Sequence, residues 1–129
     1  MIRGSVNADY EAIISLVVRG PFGRTEQINA VIDTGFTGFL TLSASIVSAL
    51  QLQWRGQAEA ILGDGSTHQF DVYSATVDWD GHERPVEVDL ANATPLVGMG
   101  LIAGFDLRIE AVIGGIVLIE ARPSDEHSR

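Results

Sequence analysis

The chain has no cysteine and no lysine, and its 129 residues contain no long apolar run. Without cysteine there is no disulfide and no thiolate metal site, which fits a reducing compartment. No stretch approaches the roughly 18 apolar residues of a spanning helix, and no basic-plus-apolar leader opens the chain. Positive charge is scarce too. The eight basic residues are all arginine, scattered from Arg3 to Arg129, and the net charge is −9. Nucleic acid calls for a clustered basic footprint, so neither it nor a membrane is an expected partner. A cytoplasmic location is the matching expectation. His68, His82 and His127 are too dispersed for a recognisable metal motif, so no metal or cofactor is expected.

What is present suffices for one core. The apolar fraction is 46%, and length predicts a single domain over 1–129 with a polar, flexible tail from about 121. Apolar stretches are short, β-branched and punctuated by glycine. They predict strands over Tyr10 to Val18, Glu26 to Asp33 and Phe39 to Leu42. Ser43 is placed to cap a helix from Ala44 to Leu50, with Ile46, Val47 and Leu50 on one face. Four strand-like stretches follow between Gln53 and Leu90, joined by Gly63-Asp64-Gly65 and Asp80-Gly81 turns. A helical turn over Met99 to Ala103 precedes a closing hairpin, Leu107 to Val112 and Ile116 to Glu120, about Gly114-Gly115. The predicted class is all-β with one short helix.

Three elements carry chemistry. Asp33-Thr34-Gly35 follows the apolar run Ala30-Val31-Ile32, so a carboxylate, a hydroxyl and a glycine end a buried strand. Ile61 to Phe70, about the glycine-centred Leu62-Gly63-Asp64-Gly65-Ser66, reads as a hairpin tip with apolar stems. Leu96-Val97-Gly98 is a hydrophobic-hydrophobic-glycine element far downstream. Alone, an Asp-Thr-Gly more often caps a turn. In this order, over most of residues 10 to 120, the three resemble the retropepsin-like (retroviral-type) aspartic proteases. The likeness is greater to the microbial single-domain relatives of that clan, where a Phe-x-Gly after the triplet is familiar, as in Phe36-Thr37-Gly38.

The resemblance implies a retropepsin-like closed acid-protease barrel with a dimeric active site, acting on a polypeptide substrate. Metal-free peptide hydrolysis needs an activated water and a proton donor, and two carboxylates sharing one proton supply both. This chain has one such triplet, so the second carboxylate would come from an obligate or concentration-dependent homodimer. Asp33 would be half of the dyad. Thr34 would brace the two active-site loops, and Gly35 would let its backbone N–H approach the carboxylate. Gly63, Asp64 and Gly65 would form a mobile flap over an extended peptide. Phe36, Ile61, Leu62 and Val97 are candidate pocket walls. Leu96 and Gly98 would support the active-site loop from beneath.

Some points stay open at this level. Phe36 stands where viral enzymes carry a small residue, so it either narrows the site floor or packs away beneath it. Asp64 either faces solvent or favours basic residues in a ligand. Gly100 sits where relatives carry an acidic or polar residue, at the expected helix start. Val6 to Ile13 and Ile116 to Glu120 are two candidates for strands crossing a dimer interface. The alternative to an enzyme is a catalytically inactive peptide-binding or dimerisation module of the same fold. The segment Asp78-Trp79-Asp80-Gly81-His82-Glu83 lacks the ligand spacing of a calcium loop and reads as a turn.

Overall fold

The computed structural model describes residues 1–123. It has ten strands: β1 (Ile2–Val6), β2 (Ala12–Arg19), β3 (Thr25–Ile32), β4 (Leu40–Leu42), β5 (Gln53–Ile61), β6 (Thr67–Trp79), β7 (His82–Leu90), β8 (Leu96–Val97), β9 (Phe105–Ile109) and β10 (Ile116–Ala121). Two short helices, α1 (Ala44–Leu50) and α2 (Met99–Ile102), complete it, so the all-β class holds, and α2 lies where the sequence predicts a helical turn. The tail expected from about 121 falls largely on 124–129, outside the described residues, and β10 itself reaches Ala121.

All ten strands join one sheet in the order β5-β6-β7-β4-β8-β3-β2-β1-β10-β9. A further pairing of β2 with β6 (Val18↔Val77, Arg19↔Thr76) returns the sheet on itself around the core. Alternation drives this arrangement. In β2, Ala12, Ile14, Leu16 and Val18 are buried while intervening residues face outward, the period-2 pattern of a strand with one dry face. Leu40, Leu42, Val77, Val88, Val97 and Leu101 are fully buried against them. Outside this core, the Arg19 guanidinium grips the Asp78 carboxylate through two hydrogen bonds of 2.7 and 2.8 Å, beside the β2–β6 pairing.

The helix cap is as expected: the Ser43 hydroxyl accepts from the Ile46 N–H at 3.5 Å, and Val47 and Leu50 are buried. Asp80 (φ 52°) and Gly81 (φ 81°) both take left-handed backbone at the β6–β7 turn, the requirement of a two-residue hairpin. Two expectations are corrected. The region from Gln53 to Leu90 holds three strands rather than four, because β6 is one continuous 13-residue strand. The Ile116–Ala121 strand is not free to cross an interface by its edges, since β1 pairs one side and β9 the other. Among the described residues, the free edges of the sheet are β5 and β9.

Candidate active site

β8 threads between β3 and β4, parallel to the former and antiparallel to the latter. This weave sets the candidate site. The Asp33 N–H donates to the Val97 carbonyl at 2.9 Å, and the Val31 N–H to the Pro95 carbonyl at 2.9 Å. Strand β3 is thereby held to its end, and Asp33 leaves it half-buried, with Thr34 and Gly35 exposed beyond it. The Gly35 N–H donates to Asp33 Oδ1 at 2.9 Å, fixing the carboxylate over its own turn. A Cβ on Gly35 would lie 3.3 Å from that oxygen, so glycine leaves the approach clear.

The downstream element clamps the segment just after the triplet. The Gly98 N–H donates to the Phe39 carbonyl (3.0 Å), Met99 N–H to Phe36 (2.8 Å) and Gly100 N–H to Gly38 (3.0 Å). Gly98 packs on Phe36 and Gly38 rather than on the triplet itself. Gly100 is accounted for by the same packing: a Cβ there would lie 2.8 Å from the Gly38 carbonyl oxygen and 2.9 Å from that of Thr37. Helix α2 forms despite the glycine, and Leu101 and Ile102 anchor it in the core.

Arg84 is a residue that sequence reasoning passed over. Its Nη1 donates to the Leu101 carbonyl at 2.6 Å and its Nη2 to Gly100 at 3.3 Å. The guanidinium also lies 5.8 Å from the Phe39 ring centre. It thus ties β7 to α2 and to the segment after the triplet. No local pattern marks it, because its partners are backbone carbonyls distant in the chain.

The expected flap is a hairpin tip between β5 and β6. Leu62 and Ser66 pair across it at 2.8 Å, and Gly65 (φ 85°) closes the turn onto the Leu62 carbonyl. Asp64 Oδ1 accepts from the Ser66 N–H at 2.9 Å and its hydroxyl at 2.5 Å. That hydroxyl bond, first, and the N–H bond with it hold the Asp64 carboxyl below its usual range. Ile61 and Leu62 are exposed.

The predicted residues separate into two openings. A cleft of about 470 Å³ gathers Asp33 and Thr34 with Leu96, Tyr10 and Ile109. A second, of about 590 Å³, takes Phe36 with the flap stems, Ala60 and His68. The tip residues Ile61, Leu62, Gly63, Asp64 and Gly65 line neither. Val97 is wholly buried, so in the single chain its side chain belongs to the core. Among the described residues, no group of three or more His, Asp or Glu is placed to hold a metal ion. Among the described residues, no helix is long and apolar enough to cross a membrane.

The interlocked β3, β4 and β8 define a retropepsin-like fold, and comparison with solved structures gives the same class. The chain is similar to a retropepsin-like aspartic protease from Rickettsia conorii, at 15% identity and a TM-score of 0.61, covering 95% of this chain and 90% of that one. It is also similar to EIAV protease complexed with the inhibitor HBY-793, at 16% identity and a TM-score of 0.58, covering 74% and 88%. No protein-family model matches the sequence, and no curated protein matches it.

Proposed function

We propose that the chain is an aspartic endopeptidase whose water is activated by two Asp33 carboxylates across a homodimer. The observation that carries this reading is the placement of Asp33. It stands at the end of a strand pinned by Val97, with one oxygen bonded to the Gly35 N–H. A carboxylate so oriented can share a proton with a twin across a twofold axis. One carboxylate remains ionised and takes a proton from water, while its protonated partner donates to the substrate carbonyl. The products leave without a covalent enzyme intermediate. The exposed Thr34 is free to brace the partner's loop.

The second subunit has a natural seat. Tyr10 and Ile109 share the opening with Asp33, and Val112 and Ile113 extend the apolar surface along the same hairpin, each 60% exposed. Among the described residues, the neighbouring strand β9 has no partner on its outer edge. A flap hairpin closing over an extended peptide would exclude water from the shared acid.

The test is Asp33→Asn. The amide oxygen still accepts from Gly35, so folding is expected to persist while peptide turnover falls by at least about 10²–10⁴-fold. Full turnover in a purified, folded variant would refute the assignment. Saturable peptide binding with no cleavage by the parent protein would favour the inactive module instead.

A further inference from the structure

The 590 Å³ cleft, which Phe36 joins to the segment just after the triplet, has mostly apolar or neutral walls, among them Phe36, Thr41, Ala60 and Phe70. Asp89 breaks that pattern. It sits near the end of β7, between its ladder partners Thr41 of β4 and Val72 of β6. Its Oδ2 is 3.3 Å from where a Gly38 side chain would begin, so it overhangs the segment that follows Asp33. Burial, first, and the nearby Glu87 push its carboxyl above the usual range. Among the described residues its carboxylate has no hydrogen-bond or ion-pair partner within the chain.

The other charged groups of the cleft do not relieve it. Asp71 also lines the opening, but its Oδ1 accepts from Trp54 Nε1 at 3.1 Å and Gln57 Nε2 at 3.4 Å. His68 lines the opening without pairing with Asp89. Among the described residues no arginine lines it, and Arg84 and Arg19 are committed to the Leu101 carbonyl and to Asp78. A half-buried carboxylate with apolar neighbours gains most from a ligand that brings its own positive charge.

We propose that Asp89 is a specificity residue, and that this cleft takes an arginine or lysine side chain of an extended peptide bound beside Asp33. The identification of the ligand as a peptide rests on the endopeptidase reading. The cation is selected by Asp89 itself: the apolar walls sheath the aliphatic stem, and the carboxylate receives the charged head. The chain's net charge of −9 also favours approach of basic peptides.

The experiment uses synthetic peptides that differ at one position at a time, carrying arginine, its uncharged isostere citrulline, or norleucine. Binding to the full chain with Asp33→Asn is read by fluorescence anisotropy near neutral pH, and cleavage is read with the parent protein. At one position arginine should bind at least about tenfold better than citrulline, the range of one charge-assisted hydrogen bond. Adding Asp89→Asn should bring that ratio close to one, whereas Asp71→Asn should preserve it. A ratio near one at every position, or a preference that survives Asp89→Asn or is erased by Asp71→Asn, overturns the proposal. Cleavage without a basic preference would sink this inference alone. A basic preference without cleavage would sink the peptidase reading and leave the cleft's selectivity standing.

Discussion

The Phe36 ring fills the space where a Gly98 side chain would begin. A Cβ on Gly98 would lie 2.6 Å from Phe36 Cδ2, 2.7 Å from the Phe36 carbonyl oxygen, and would collide with the Gly38 carbonyl. Gly38 meets the same ring at other atoms, with its Cβ position 2.5 Å from Phe36 Cε1 and Cζ. A large residue after the triplet is thus matched by two bare α-carbons. The ring also lines the cleft, so Phe36 both packs beneath the site and walls it.

Gly98→Ala should therefore destabilise the fold by about 1–3 kcal/mol, the range for overpacking a filled interior. Two of its close contacts are backbone oxygens, which cannot rotate away. Chemical denaturation is the measurement, and an unchanged midpoint would contradict the packing. Gly63→Ala is the contrast, since a Cβ there meets nothing within 4 Å.

Much of this was legible in the chain. Apolar runs bounded by glycine turns announced β3 and the β6–β7 and β9–β10 hairpins, and the Ser43 cap with one apolar face announced α1. Asp33-Thr34-Gly35 and Leu96-Val97-Gly98 announced the weave about β8. Strand β1 was not legible, because its inward positions are Ile2, Gly4 and Val6, and a glycine hides the alternation. Gly4 is there because a side chain would strike the Ile13 carbonyl of β2. Strand β6 was split in the reading because its buried residues change phase, from Val72 to Ala75, Val77 and Trp79. Arg84 acts through carbonyls of α2 that are distant in the chain, and Asp89 is half-buried by the β4–β7 and β6–β7 pairings, so neither leaves a local signature.

Arg84→Met should cost about 1–3 kcal/mol, the usual range for hydrogen bonds from a charged donor. Methionine keeps part of the stem's volume but leaves the Gly100 and Leu101 carbonyls without the guanidinium. Peptide turnover should fall further than stability alone explains, because α2 positions the segment after Asp33. A variant with the parent's melting temperature and turnover would show the clamp to be idle.

The Arg19–Asp78 pair predicts an acid-sensitive closure of the sheet. The hydrogen bond from Arg19, first, and its charge hold the Asp78 carboxyl below the usual range. A carboxylate depressed on folding contributes stability above its unfolded pKa of about 3.9, lost as pH falls through the folded value. Arg19→Met should lower the denaturation midpoint at neutral pH, and its difference from the parent should shrink as pH falls below the unfolded value of about 3.9 and through the depressed folded value. A difference that persists unchanged in acid would assign Arg19 a packing role instead.

The free edge of β9 gives the test of assembly. Ile109 ends that strand, is 40% exposed, and shares the opening with Asp33 and Tyr10. In the monomer an aspartate at this exposed site should change stability little. At a dimer face it would bring two carboxylates towards each other near the axis, beside the Asp33 pair, and bury charge without a partner. Ile109→Asp should therefore shift sedimentation towards monomer while the variant keeps its folded, strand-rich circular dichroism. Turnover per chain should then rise steeply with protein concentration, since the active species forms by mass action. If the variant stays dimeric and fully active, the partner sits elsewhere. If the parent is a monomer at every concentration and still cleaves peptides, the shared carboxylate itself is wrong, and one Asp33 must do the chemistry alone.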